Sequence, residues 1–235
     1  MQSIFTSYHI ELSDYELKKF QTFLKFFIET NTHINLSSIR DERGIIEKHF
    51  VDSIMLVVFY DLVSTWTDTL YKVADLGTWG GFPGIPLAIV TPKAEFTLID
   101  SVAKKITCVQ NFIEKLHLKN VKTLIWRAEE IWHDVSYREN FDCVVSRATA
   151  YFPTLIEYTL PLLKVGWIFA AYKLTDKEEF TSIKKALHQL GWKIVKIKNY
   201  EINWQQRSIV FIKKITKTPI KYPRKIGIPL QKPIV

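Results

Sequence analysis

The chain has 235 residues, 47% apolar and 24% charged, which excludes wholesale disorder and fits one globular domain or one domain with an extension. The formal net charge of +8 points to a nucleic acid or another anionic partner. That excess is local. The stretch Lys213 to Val235 holds six Lys and Arg224 and no acid, so of 32 basic residues 25 remain in the body against 24 acids.

Taken in chain order, Met1-Gln2-Ser3-Ile4-Phe5 lacks the basic start and apolar core of a signal peptide. Phe20, Phe23, Leu24, Phe27 and Ile28 recur at helical spacing. Ser13, with Glu16 three residues on, predicts a capping box at that helix's start. Its aromatic residues read as packing. A second helix is expected over Ile45 to Val63, with His49 and Asp52 on one face. Those two could position RNA, but a buried pair tying the helical part to the rest is favoured. No apolar run reaches the roughly 18 residues of a membrane span; Ile54 to Tyr60 comes nearest.

From Tyr71 the rhythm changes to strands separated by helices. Strands are expected at 71–76, 95–99, 121–126, 141–146 and 167–172, and helices at 103–117 and 176–190. Trp192 to Ile202 and Ser208 to Ile215 read as a closing antiparallel hairpin. Such alternation indicates a parallel sheet with helices on both faces. The segments are a helical extension (1–65), a Rossmann-like core (66–215) and a Pro-punctuated tail (216–235), expected to be extended. Cys108 and Cys143 form no CxxC and have no His at metal spacing. They read as core thiols of a cytosolic protein with no bound metal.

Four of the eight glycines, Gly77, Gly80, Gly81 and Gly84, fall in one turn after the first of these strands. Glycine there admits φ > 0 and a close backbone approach to a ligand. Asp100 ends the next strand, where an acid can hold ribose hydroxyls. The two together imply an adenosine-type cofactor. The dinucleotide fingerprint G-x-G-x-x-G is not met, because Trp79 stands at its second Gly. That disfavours a nucleotide-dependent oxidoreductase. A tight strand–helix connection without a ligand is the plainer alternative for the turn.

Asp75 to Ile89 resembles the run D-x-G-T-G-A-G-F-P-G-I-P-L-A-I of the RsmG/GidB family of small-subunit ribosomal RNA guanine-N7 methyltransferases. Ile34-Asn35-Leu36, His49 to Ser53, Asp100-Ser101 with Lys104-Lys105, Arg127 to Glu130, Ser146-Arg147-Ala148, Leu160 to Lys164 and Lys221 to Gly227 follow the family's pattern in order and spacing. The resemblance covers nearly the whole chain. It implies a class I S-adenosylmethionine-dependent methyltransferase fold: an α/β, mostly parallel seven-stranded sheet with a C-terminal antiparallel strand and a helical N-terminal extension. It implies that Gly77 and Phe82 line the methionine and ribose part of the cofactor, with Gly81 in the same turn. Asp100 would sit near the ribose, Ala128 and Glu129 at the adenine, and Arg147 at the cofactor and reacting centre. Alternatively, Arg147 is the ion-pair partner of a core carboxylate.

The donor's methyl is already electrophilic, and guanine N7 carries no proton, so no general base is needed. The implied partner is small-subunit ribosomal RNA or the 30S particle, met by a cytoplasmic protein with a monomer favoured. Lys213, Lys214, Lys217, Lys221, Arg224, Lys225 and Lys232 would contact phosphate, with Tyr222 able to stack on a base; the plainer alternative is a solvated, mobile end. Trp79, Trp126 and Trp167 stand where the family has Gly. Trp79 is expected either to point outwards and cover the site or to occlude it, with weakened cofactor binding. The second function reading is therefore a catalytically silent rRNA- or ribosome-binding protein on the same fold. Trp126 and Trp167, at strand ends, read as core packing.

Overall fold

The alternation of buried and exposed side chains along the strands explains the architecture of the computed structural model, which describes the chain apart from residues 60–70, 128–129, 132–133, 148–149, 160, 175–182, 184–185 and 235. Seven strands form one sheet: β1 (Lys72–Leu76), β2 (Glu95–Asp100), β3 (Val121–Ile125), β4 (Phe141–Arg147), β5 (Leu163–Leu174), β6 (Trp192–Ile202) and β7 (Gln205–Lys214). Their order is β3-β2-β1-β4-β5-β7-β6. β7 alone runs antiparallel to the other six strands. Successive side chains of a strand point to opposite faces. Cys143, Val145, Ile168, Ala170, Tyr172 and Phe211 join one buried cluster, while Val144, Phe169, Ala171, Val210 and Ile212 join the other.

The first face is covered by the N-terminal helices α1 (Gln2–Ser7), α2 (Asp14–His33), α3 (Glu42–Ile45) and α4 (Asp52–Phe59), with α5 (Gly84–Val90) and α6 (Ala103–Lys115). Ser13 and Glu16 form the expected capping box at the start of α2. Phe23 packs on Phe50, Phe82 and Phe112 at 5.1, 5.4 and 5.3 Å between ring centroids. Phe20, Phe23 and Phe27 are fully buried, so this aromatic face is core and offers no surface to a base. The expected single helix over 45–63 begins earlier, at Glu42, and passes through a π-helical segment, Ile46–Val51. Its last residues, 60–63, lie outside the described ones.

The second face carries α7 (Phe152–Thr159), the helical residues 186–190, and the tail. The tail is not simply extended. It ends in a short helix, α8 (Ile228–Gln231), and its Pro223, Pro229 and Ile234 are buried. Arg224 grips the buried Glu157 of α7, and Thr154 Oγ1 donates to the Pro229 carbonyl at 2.9 Å. Lys214 is fully buried and donates to Glu139 Oε1 at 2.6 Å and to the Leu163 carbonyl at 2.7 Å, so it is not the phosphate contact expected from its charge.

Candidate active site

The strand order reverses between β1 and β4. In an open α/β sheet this switch leaves a crevice beyond the carboxyl ends of the strands, where ligands bind. Here the crevice measures about 400 Å³ and is lined by Gly77, Trp79, Asp100, Lys105, Trp126 and Arg147, together with Tyr158 of α7 and Leu230 of α8.

The glycine turn is set by local sterics and one buried acid. Gly77 takes φ +74°, and the N–H groups of Gly77 and Thr78 donate to the Ile99 carbonyl at 2.8 and 3.0 Å. Asp75 Oδ2 accepts from Thr78 Oγ1 at 2.7 Å and from the Gly84 N–H at 2.8 Å, stapling both ends of the turn. A Cβ at Gly84 would lie 2.1 Å from Leu98 Cδ2, which is why α5 must begin with glycine to approach β2. Complete burial, opposed by these hydrogen bonds, pushes the Asp75 carboxyl up to about 7.

Asp100 closes the other wall. Its Oδ2 accepts from the Trp79 N–H at 3.0 Å and its Oδ1 from the Val102 N–H at 2.9 Å. Each carboxylate oxygen has a further lone-pair direction, so the group can still accept from ligand hydroxyls. Trp79 takes φ +57°, is 41% exposed, and stands on the rim with Lys105 Nζ 5.4 Å from its ring centroid. Of the two expectations for this residue, the outward placement holds, since the crevice remains open beside the indole.

Arg147, the last residue of β4, is the ion-pair partner of a core carboxylate and also borders the crevice. It lines the crevice, and its Nη1 donates to Asp52 Oδ2 at 2.9 Å and to the Lys48 carbonyl at 3.0 Å. Asp52 is fully buried and also accepts from Arg207 Nη1 at 2.9 Å and the Tyr200 hydroxyl at 2.7 Å. Arg147 Nη2 meets His49 Nδ1 at 3.2 Å. A guanidinium can only donate, so Nδ1 is the acceptor and the proton sits on Nε2, facing Ser37 Oγ at 2.8 Å. Burial first, then the charges of Arg147 and Arg207, hold the imidazole down to about 3. His49 and Asp52 thus tie the helical extension to the sheet separately, through Arg147, and not as a pair bonded to each other.

The predicted site residues do not all converge. Gly77, Asp100 and Arg147 line the crevice. Phe82 does not; it is 2% exposed, stacked on His49 at 4.7 Å, with the Arg147 guanidinium 5.2 Å from its ring. The N–H groups of Gly81 and Phe82 both return to the Thr78 carbonyl, and that helical turn sends Phe82 into the aromatic core behind the site. Gly81 is buried as well, with φ +91°. Ala128 and Glu129 lie outside the described residues. In the tail, Lys221 and Lys225 are exposed, but Arg224 is occupied: its backbone N–H, Nε and Nη2 all donate to Glu157. Trp126, read as core, is a crevice residue that also packs edge-on against Tyr137. Tyr158 and Leu230 gave no signal in the sequence, because α7 and the return of the tail were not legible there.

A profile of the family described as rRNA small subunit methyltransferase G (GidB) matches residues 16–210. A protein of that name from Desulfitobacterium hafniense is 43% identical over 230 residues, covering 97% of this chain and 93% of its own. Another, from Lactobacillus acidophilus, is 40% identical over 232 residues, covering 97% and 95%. Among solved structures, an S-adenosylmethionine-dependent O-methyltransferase from Thermotoga maritima superposes with a TM-score of 0.55 at 15% identity, covering 72% of this chain and 66% of its own. That likeness concerns the fold: a class I methyltransferase sheet, seven-stranded and mostly parallel, with a helical N-terminal region.

Proposed function

The chain belongs to the rRNA small subunit methyltransferase G family, and from that membership we propose that it transfers a methyl group from S-adenosylmethionine to N7 of a guanine in small-subunit (16S) ribosomal RNA. The observation that carries this reading to the site is the crevice between the Gly77 turn and Asp100, at the carboxyl ends of β1 and β2.

The residues present fit the cofactor. Gly77 lets the backbone approach a ligand, and Asp100 keeps acceptor capacity for ribose hydroxyls. S-adenosylmethionine supplies, when bound, an electrophilic methyl on a sulfonium. Guanine N7 is a bare lone pair, so no side chain need remove a proton, and the protein's work is holding and aligning. Arg147 would face the reacting centre. Its guanidinium can donate to guanine O6 and so orient the base while N7 stays free. Asp52, the Lys48 carbonyl and His49 fix that guanidinium in place. Ala128 and Glu129 would border the adenine, as the family resemblance implies. Gly81 and Phe82 would support the turn and Arg147 from behind.

Lys221 and Lys225 would contact RNA phosphates. The target guanine would be unstacked or displayed in a loop. The natural substrate would be small-subunit ribosomal RNA or the 30S particle, met in the cytoplasm by a monomer. Among the described residues no helix is long and apolar enough to cross a membrane. The division into extension (1–65), core (66–215) and tail (216–235) belongs to the same proposal, with the tail completing the crevice through Leu230. A catalytically silent binding protein is the less favoured reading, since Trp79 leaves about 400 Å³ open beside it.

Tritiated methyl transfer to small-subunit RNA and to 30S subunits, followed by mapping of the labelled base, is the test. Label at one guanine N7 is expected. Binding of RNA without label on either substrate would favour the silent protein.

A further inference from the structure

We propose that Trp79 and Lys105 form a wall that stacks on the adenosine of S-adenosylmethionine, so that the tryptophan standing where the resembling family has glycine strengthens cofactor binding. The inference rests on the S-adenosylmethionine reading and goes beyond it by assigning a role to Trp79.

Three observations meet at this position. First, the indole lines the crevice and is 41% exposed, although its neighbours Thr78 and Gly80 are buried. Second, its backbone sits at φ +57°, a left-handed conformation that a β-carbon resists and glycine does not. Such conformations persist where the surroundings enforce them, and they gather at ligand sites. Here the enforcing contact is the Trp79 N–H donated to Asp100 Oδ2 at 3.0 Å. The same contact fixes which end of the ligand the indole meets. Asp100 is the group with acceptor capacity for ribose hydroxyls, so the ring beside it is at the nucleoside end and not the methionine end. Third, Lys105 Nζ lies over the ring, 5.4 Å from its centroid. That cation–π contact steadies the indole at the crevice, which both side chains line, so that the exposed part of the ring can meet the flat face of a purine.

The experiment is calorimetric titration of the full chain with S-adenosylhomocysteine, with the melting temperature of the ligand-free protein measured alongside. Trp79→Gly is expected to weaken binding about tenfold, the usual scale of losing one base–aromatic stack. Trp79→Phe restores most of it, whereas Trp79→Leu, with bulk but no π face, does not. Lys105→Ala, which frees the indole, gives an intermediate loss. The ligand-free melting temperature of Trp79→Gly should not fall, because the substitution relieves backbone strain. In the wild type, S-adenosylhomocysteine should quench tryptophan emission, and Trp79→Phe should lose most of that change. Equal or tighter binding by Trp79→Gly overturns the inference. So does unchanged S-adenosylhomocysteine affinity with weakened RNA affinity, which would make Trp79 a platform for a substrate base. Absence of S-adenosylhomocysteine binding by every protein, wild type included, overturns the cofactor reading itself and this inference with it.

Discussion

The buried Glu157 carboxylate accepts the backbone N–H, Nε and Nη2 of Arg224 at 2.8, 3.0 and 2.7 Å, so the basic tail is clamped to α7 by its own arginine. Removing one partner of a buried pair strands the other. Glu157→Gln should therefore cost about 2–3 kcal/mol in urea unfolding and release the tail, given that Arg224 keeps some solvent access. Limited trypsin digestion checks the second part: cleavage at Lys217 or Lys221 should appear early in the variant and late in the wild type.

The RNA contribution of the tail should be separable from its docking. Lys221 and Lys225 are exposed, and charge reversal at both leaves the Glu157 clamp intact. We expect unchanged melting temperature, weaker RNA binding, and a salt slope reduced by about 1.5–2. Filter binding between 50 and 200 mM salt measures it; an unchanged slope would make the exposed tail lysines inert. Reversal at Arg224 should instead lower stability.

Two buried groups should tilt stability in opposite directions between pH 7 and 5. His49 is held down to about 3, below its unfolded value, so acidification protonates the unfolded chain and removes stability. Asp75 is pushed up to about 7, above its unfolded value, so acidification protonates the folded chain and adds stability. Each is worth about 2 kcal/mol over that range, and the wild-type profile should be nearly flat from these two. His49→Gln should gain stability on going to pH 5, and Asp75→Asn should lose it, as read by denaturant midpoints at the two pH values.

Asp52 and Arg147 should fail in different ways. Asp52→Ala leaves two guanidinium groups without their shared buried carboxylate and should cost about 3–5 kcal/mol. Arg147→Lys keeps the charge but loses the fork that meets Asp52, the Lys48 carbonyl and His49. Its stability should fall less, while methyl transfer drops on the order of a hundredfold through misorientation. S-adenosylhomocysteine affinity should change far less than the rate.

Local chemistry accounts for what was legible in the sequence. The Ser13–Glu16 box, the strand runs and the clustered glycines each announce one element through residues adjacent in the chain, and the span of β6 is the one expected. Asp100 was legible because it ends the strand after the glycine turn. The Phe82 position was not, because it depends on a turn that directs the ring into an aromatic core assembled by Phe23, Phe27 and His49. The π-helical segment Ile46–Val51 has no sequence signature, yet it carries Lys48 and His49 to Arg147. Charge counting could not tell Arg224 and Lys214 from the exposed tail lysines, because it cannot see Glu157, more than sixty residues upstream of Arg224, or Glu139 beneath Lys214.

Leu230 and Gly77 line the same crevice yet stand far apart in the chain, with most of the sheet's strands between them in sequence. During synthesis, strands, turn and Asp100 all emerge before the residue that completes the pocket. A ribosome-stalled chain ending before α8 should therefore present the glycine turn and Asp100 without Leu230 in the lining of the pocket.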